Sequence, residues 1–246
     1  MLLGIPMNEV GDLLNLNTDY MLSIIPLMTA AATYTVRLTF LGVLFSLIIG
    51  LVGNLVYYYR LPVLTQVVSA YTELSRNTPI IAQLFFLFFG LPQLGITLSG
   101  FASGVIALTF LGGSYMIEAL RGGMEAVSKL QMESSQALAL SPTQILCYVV
   151  LPQAVRTSLQ SLSANIVFLL RESSLIGMIA VPELMQVARS EISMFFRTEE
   201  VLIMLTFYYI LLIAPISLFF YWLEKRLRYG NQRQNDTIVV TEVGHG

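Results

Sequence analysis

Long runs without charge constrain this chain more than any other feature. An unpaired Asp, Lys or Arg at the centre of a membrane-crossing helix costs about 2.5–3.5 kcal/mol, so charge-free stretches mark where such helices can lie. Leu38–Tyr59 holds 22 residues without Asp, Glu, Lys or Arg, and Val201–Leu223 holds 23. At about 1.5 Å per residue each reaches roughly 33 Å, enough for a hydrocarbon core of about 30 Å. The 41 uncharged residues between Arg76 and Glu118 are interrupted by Gly90-Leu91-Pro92-Gln93-Leu94-Gly95. They predict two helices joined by a tight hairpin, the first starting at Leu61-Pro62 because proline fits the first helical turn. Ser134–Val155 is uncharged too, but its serines, glutamines and two prolines predict a pair of short helices beside the membrane rather than a span. The fourth spanning helix is expected at about 157–180, with Arg171 and Glu172 inside it.

Composition agrees. Residues of the set AVILMFWYC make up 56% and charged residues only 11%, which excludes an ordinary soluble globule. A net charge of −2 supplies no basic field for nucleic acid. The single cysteine, Cys147, has no partner for an intrachain disulfide, and the single histidine, His245, lies near the terminus, so zinc sites and histidine catalysis are not expected.

The expected fold is therefore all-α, a polytopic membrane protein with five transmembrane helices. Arg60, Arg121, Lys129, Arg156, Lys225, Arg226, Arg228 and Arg233 fall on one side of the membrane, against Arg189 and Arg197 on the other. This asymmetry predicts an amino terminus outside and a carboxyl terminus in the cytoplasm. No Lys or Arg precedes Arg37, so helix one is expected to act as an uncleaved targeting signal. The expected organisation is an external segment at 1–27, a transmembrane domain at 28–228 with a cytoplasmic loop at about 122–156, and a loose polar tail at 229–246.

Within the loop, Met132, Ala137, Leu138 and Leu140 mark an apolar stripe on a short helix, and Ser141-Pro142 reads as an N-cap followed by proline at the first helical position. Glu133-Ser134-Ser135, Ala139, Val149, Leu151 and Pro152 follow the spacing EAA-x3-G-x9-I-x-LP. The loop thus resembles the EAA loop of ATP-binding-cassette (ABC) importer permeases. Tyr71–Pro79, Gln83–Phe86, Glu118–Gly123, Leu170–Leu175 and Val181–Leu184 extend the resemblance over about residues 25 to 228, toward the polar amino acid uptake family.

That resemblance implies a type I importer permease of the bacterial cytoplasmic membrane, carrying a polar amino acid. It also implies a second permease subunit (a homodimer or a related chain), ABC ATPase subunits holding ATP and Mg, and an external substrate-binding protein. Glu133, Ser134, Ser135, Ala137, Leu138, Ala139, Leu140 and Ser141 become the expected contact with the ATPase. The motif glycine is Ala139 in this chain. If the family's glycine closes the first helix in a left-handed conformation, alanine there costs roughly 1 kcal/mol, and the turn is expected to shift toward Ser141.

Neither lysine, Lys129 or Lys225, completes the phosphate-cradling G-x-x-x-x-G-K-[ST] pattern, so no cofactor is expected on this chain and ATP must be handled elsewhere. Charges at membrane depth are the remaining candidates. Glu73 and Arg76 share a helix face and could neutralise each other, while Pro79 should unwind Arg76-Asn77-Thr78 as broken helices do beside substrate pathways. Ion pair and pathway both remain open there. Arg171, Glu172, Ser173 and Ser174 offer an acceptor and donors suited to a zwitterion. Glu118 and Arg121 read as a fixing ion pair, and Gly122-Gly123 as a sharp exit into the loop. Outside, Glu183, Arg189 and Glu191 form either a solvated face or a surface for the external binding protein. A membrane-embedded hydrolase using Ser114 lacks an acid–base partner. An ion-coupled secondary transporter or channel subunit is the competing reading.

Overall fold

In a computed structural model, residues 16–243 are described, with side chains through Leu227. His245 and the first half of the expected external segment lie outside them. Helix α1 spans Thr18–Tyr58, α2 Pro62–Asn77, α3 Ile80–Phe85, α4 Gly100–Glu125, α5 Lys129–Ala137, α6 Pro142–Ile145, α7 Leu151–Glu172, α8 Leu184–Phe195 and α9 Thr198–Val243. No strand occurs among the described residues. Four helical stretches are long and apolar enough to cross a membrane, namely Thr18–Tyr58, Gly100–Glu125, Pro142–Ile179 and Thr198–Leu227; the pair Pro62–Asn77 and Ile80–Leu94, bent by 102° at its break, passes the same test together and counts as a fifth when taken as one broken span.

The boundaries correct the sequence reading in four places. Helix α1 begins at Thr18 rather than near 28, because the Asn17 side chain accepts the Tyr20 amide at 2.9 Å and caps it. The polar stretch after Ser141 is not a separate short helix. A capping box starts α6, with Ser141 and Gln144 exchanging side-chain and backbone bonds, and a π-helical turn at Leu146–Val150 then runs straight into α7. Pro152 is tolerated because it sits at the start of the new α-register, just after the wide turn. The connection between the third and fourth spans therefore shrinks from 122–156 to about 126–141. Finally, α9 continues to Val243, so the backbone of the expected loose tail is helical.

The break at Pro79 forms but is shorter than expected, because Arg76 and Asn77 stay in the last turn of α2 and do not unwind. Thr78 (φ −111°, ψ 133°) and Pro79 (φ −61°, ψ 138°) are extended between α2 and α3. The hairpin at 90–95 also forms, with Gly95 left-handed at φ 82°.

Contacts divide the chain into two units. One comprises residues up to Gly42, Pro79–Leu108 and Leu169–Ile213; the other comprises Val43–Thr78, Thr109–Phe168 and Ala214 onward. In the first, Met28, Leu184, Ala188 and Val201 are fully buried in one apolar cluster. In the second, Asn54 donates to the carbonyls of Gly50 and Ile117 at 2.8 and 3.0 Å, and Ser158 donates to the Ala119 carbonyl at 2.8 Å. Small residues and such side-chain bonds let helices approach closely where lipid supplies no hydrophobic drive. Gly123 belongs to this packing. It lies inside α4 against Ser158 and the Ala154 carbonyl, not at a helix exit.

Candidate functional site

In the second unit, hydroxyls pin the end of α2 to α4. Tyr71 donates to the Phe110 carbonyl at 2.6 Å, and the buried Ser75 hydroxyl lies 2.8 Å from that carbonyl and 3.0 Å from Ser114 Oγ. Ser114 in turn donates to the Leu111 carbonyl at 2.7 Å, so its hydroxyl serves packing rather than nucleophilic chemistry. None of these hydroxyls was singled out as a partner from sequence, although Tyr71 and Ser75 stand four residues apart on one face, as do Phe110 and Ser114.

Arg76 pairs with neither of the sequence expectations alone. Its guanidinium lies 3.6 Å from Glu118 Oε2 and over the Tyr115 ring at 5.4 Å from the centroid. Glu73 is exposed and forms no ion pair among the described residues, which corrects the Glu73–Arg76 reading. The reason is geometric: side chains at i and i+3 can meet, but α4 offers Arg76 both a carboxylate and an aromatic face. Arg121 donates to the same Glu118 oxygen at 2.9 Å and approaches Glu125 at 3.5 Å, so the expected Glu118–Arg121 pair is present. Asn77 is exposed, and Thr78 donates its hydroxyl to the Leu74 carbonyl at 2.8 Å.

In the first unit, Arg171 is exposed and Glu172, half-buried, ends α7. A 3-10 turn over Ser173–Ile179 follows, closed by Ala180 at φ 59°. Ser174 is half-buried, but Ser173 is fully buried and donates to the Leu170 carbonyl at 2.7 Å, so its hydroxyl proton is not offered to a substrate.

The external trio separates. Arg189 is exposed, whereas Glu191 is buried and accepts the Tyr20 hydroxyl at 2.9 Å. Glu183 is fully buried and caps α8, accepting the Gln186 and Met185 amides at 2.6 and 2.8 Å, so it has no surface to dock with. The Pro182-Glu183 pattern is legible as a helix start, with Glu183 in the N-cap position. Glu183 lies between the fourth and fifth spans, and burial pushes its carboxyl up to about 7 against the opposing pull of the two amides and Arg189. The native state thus holds a proton between pH 4.5 and 7 that the unfolded chain releases. Stability from this group is present below about pH 4.5 and falls as pH rises toward about 7, by at most about 1.4 kcal/mol per pH unit. Thermal unfolding across pH 5–8 should show that slope in the wild type and lose it in Glu183→Gln.

On the loop, Met132 and Leu140 turn inward against Ile145, Leu146 and Val150. Leu130 and Leu138 are 71% and 76% exposed, and Glu133, Ser134 and Ala137 are exposed beside them. Ser135 is buried and donates to the Gln131 carbonyl at 2.6 Å, and Ser141 is the α6 cap. The outward apolar pair is therefore Leu130 and Leu138, half of which the expected stripe of Met132, Ala137, Leu138 and Leu140 missed, because one face of the helix must cover its own chain. Ala139 takes φ 56°, so the left-handed closure falls at the motif position itself and is not displaced to Ser141. Ala139→Gly should then stabilise the protein by up to about 1 kcal/mol in thermal unfolding, with transport unchanged.

Comparison with known proteins follows the same lines. A family model described as "Binding-protein-dependent transport system inner membrane component" matches residues 42–229. The "Probable amino-acid ABC transporter permease protein PatM" of Vibrio harveyi is 31% identical over 212 residues, 85% of this chain and 95% of that one. The "Probable glutamine ABC transporter permease protein GlnP" of Bacillus subtilis (strain 168) is 34% identical over 155 residues, 63% and 71% of the two chains. Among solved structures, the chain is similar to the "Crystal structure of an amino acid ABC transporter with histidines", with a TM-score of 0.80 and 28% identity over 86% of this chain and 99% of the other. An inward-facing MetNI methionine ABC transporter shares the fold, with a TM-score of 0.70 and 20% identity over 83% and 97% of the two chains.

Proposed function

Since the chain belongs to the family of binding-protein-dependent transport system inner membrane components and is an ABC importer permease subunit, we propose that it forms half of a translocation pathway for a polar amino acid. The observation that carries this reading is the family match itself, which runs from within α1, through the EAA-type loop, into α9. Relatives named as amino-acid and glutamine permeases support the substrate class.

In this reading, Arg76, Asn77 and Thr78 at the broken second span and Arg171, Glu172 and Ser174 at the end of α7 border the pathway, with Glu73 available on the exposed face of α2. Ser173 contributes packing. Separate ABC ATPase chains bind ATP and Mg, and seat on the face carrying Leu130, Glu133, Ser134, Ala137 and Leu138. A second permease subunit, identical or related, completes the pathway across a two-fold axis. The chain resides in the bacterial cytoplasmic membrane with its amino terminus outside, following the distribution of Lys and Arg. The external binding protein then meets the side bearing Arg189.

The test is uptake into proteoliposomes holding the permease with its ATPase, driven by internal ATP and supplied with binding protein and labelled polar amino acids. Uptake that needs ATP is the expected result, and Glu172→Gln should lower it about tenfold or more at equal incorporation, as loss of a required intramembrane charge does. Uptake driven by an ion gradient without ATP would replace this reading with a secondary transporter.

A further inference from the structure

Glu118 occupies an unusual position between two arginines. Its Oε2 lies 2.9 Å from Arg121 and 3.6 Å from Arg76, and Arg121 also reaches Glu125 at 3.5 Å. Arg76 and Arg121 thus share one carboxylate oxygen, and the four side chains together are neutral. Arg76 is the last charged residue of α2, directly before Asn77 and the extended Thr78. Arg121 lies in the final turns of α4, ahead of the connection to α5. A carboxylate serving two guanidiniums holds each less tightly than it would hold one alone. Movement of Arg121 toward Glu125 strengthens the hold on Arg76, and movement away from Glu125 weakens it.

We infer that Glu118 is a positioning residue for translocation: its carboxylate fixes Arg76, and through it Asn77 and Thr78, in proportion to how far Arg121 is drawn off toward the loop. Three features of the geometry support this over a simple fixing pair. The neighbouring Tyr71 and Ser75 hydroxyls already anchor the preceding turn to the Phe110 carbonyl, so packing of α2 does not require the ion pair. The Arg76 contact is longer than the Arg121 contact and half-exposed, with 43% of the arginine side chain accessible, so it can open at small cost. The Tyr115 ring, which the guanidinium already overlies, still offers it a contact when the ion pair opens. The inference rests on the reading that Asn77 and Thr78 border the pathway.

The experiment uses the full transporter in proteoliposomes, with Cys147→Ser to remove the single thiol of this chain and labelling read on this chain alone. Labelling of Asn77→Cys by a charged methanethiosulfonate reagent reports the position of the α2 end without any transport. Glu118→Gln and Arg76→Gln should each raise the labelling rate about fivefold, the double variant should match either single one, and Glu118→Asp should recover most of the wild-type rate. Arg121→Gln should leave labelling unchanged or slower, because it frees the carboxylate for Arg76. With Asn77 intact, Glu118→Gln should lower the maximum uptake rate about fivefold while shifting the half-saturating substrate concentration less than about twofold. Unchanged labelling in Glu118→Gln, or effects of the two substitutions that simply add, would overturn the positioning role. Altered labelling with normal uptake would overturn its part in translocation. Failure of the wild type to take up substrate with ATP would instead refute the transport reading, and the labelling rates would still decide whether Glu118 positions Asn77.

Discussion

Gly123→Ala is expected to prevent recovery of folded permease or to lower its unfolding temperature sharply, whereas Gly122→Ala next to it should be neutral or stabilising. A Cβ at Gly123 falls inside contact distance of both Ser158 Oγ and the Ala154 carbonyl oxygen, while a Cβ at Gly122 meets nothing within 4 Å. Ser158 is held by its bond to the Ala119 carbonyl, and Ala154 is part of the α7 backbone, so neither can yield cheaply. Overpacking of this kind costs typically about 1–3 kcal/mol, and more where backbone must move. Gly122 is exposed within a helix, where alanine gains about 0.5–1 kcal/mol. Thermal unfolding in detergent, followed by size-exclusion profile, separates the two. Equal behaviour of both variants would mean that α4 and α7 do not cross at Gly123.

Leu138→Asp should strip the ATPase from the purified complex, with an affinity loss of about a hundredfold, the scale of a buried interface anchor. Leu138 stands 76% exposed at the end of α5, and Leu130 is nearly as open, so the described residues leave this apolar pair mostly uncovered. Glu133→Lys beside it should weaken the complex less, through charge repulsion at a rim. The unfolding temperature of the isolated permease should hardly change with either substitution, because both side chains face outward. Met132→Asp provides the contrast: it strikes a residue packed on the Ile145 and Leu146 cluster, and should destabilise the permease itself. Copurification of stoichiometric ATPase with Leu138→Asp would move the contact to another surface.

The sign of a substitution at 122, 123, 132 or 138 is not visible in sequence. Gly122 and Gly123 are identical letters, and both read as a helix exit. Only the crossing of α7, thirty or more residues away in the chain, makes one of them indispensable. The apolar loop stripe was legible as a stripe, but a nine-residue helix whose Leu130 and Met132 point to opposite sides leaves open which face its own chain covers. Ala139 departs from expectation too. Alanine in place of the motif glycine predicts a turn shifted toward Ser141, yet the backbone closes left-handed at Ala139 itself, at the modest local cost expected for a single αL residue.

Charge told a similarly divided story. The scarcity of charged residues located the spans, because inserting an ion into hydrocarbon costs more than any local propensity can offset. The sequence located the break at Thr78–Pro79 as well, through Pro79, because proline removes a donor regardless of what surrounds it. It did not reveal that Arg76 meets Glu118 rather than Glu73, that Glu191 accepts from Tyr20, or that Glu183 is sealed under its own helix cap.

The sequence by itself determined the membrane class, the spans, the EAA-type loop and the family. These follow from free energies summed along a contiguous segment or from a fixed spacing of residues. Tertiary structure alone decided which carboxylate Arg76 finds, which glycine is packed shut and which leucines stay open. Those outcomes depend on side chains brought together from helices tens of residues apart, where the competition among partners is settled by distance and not by order in the chain.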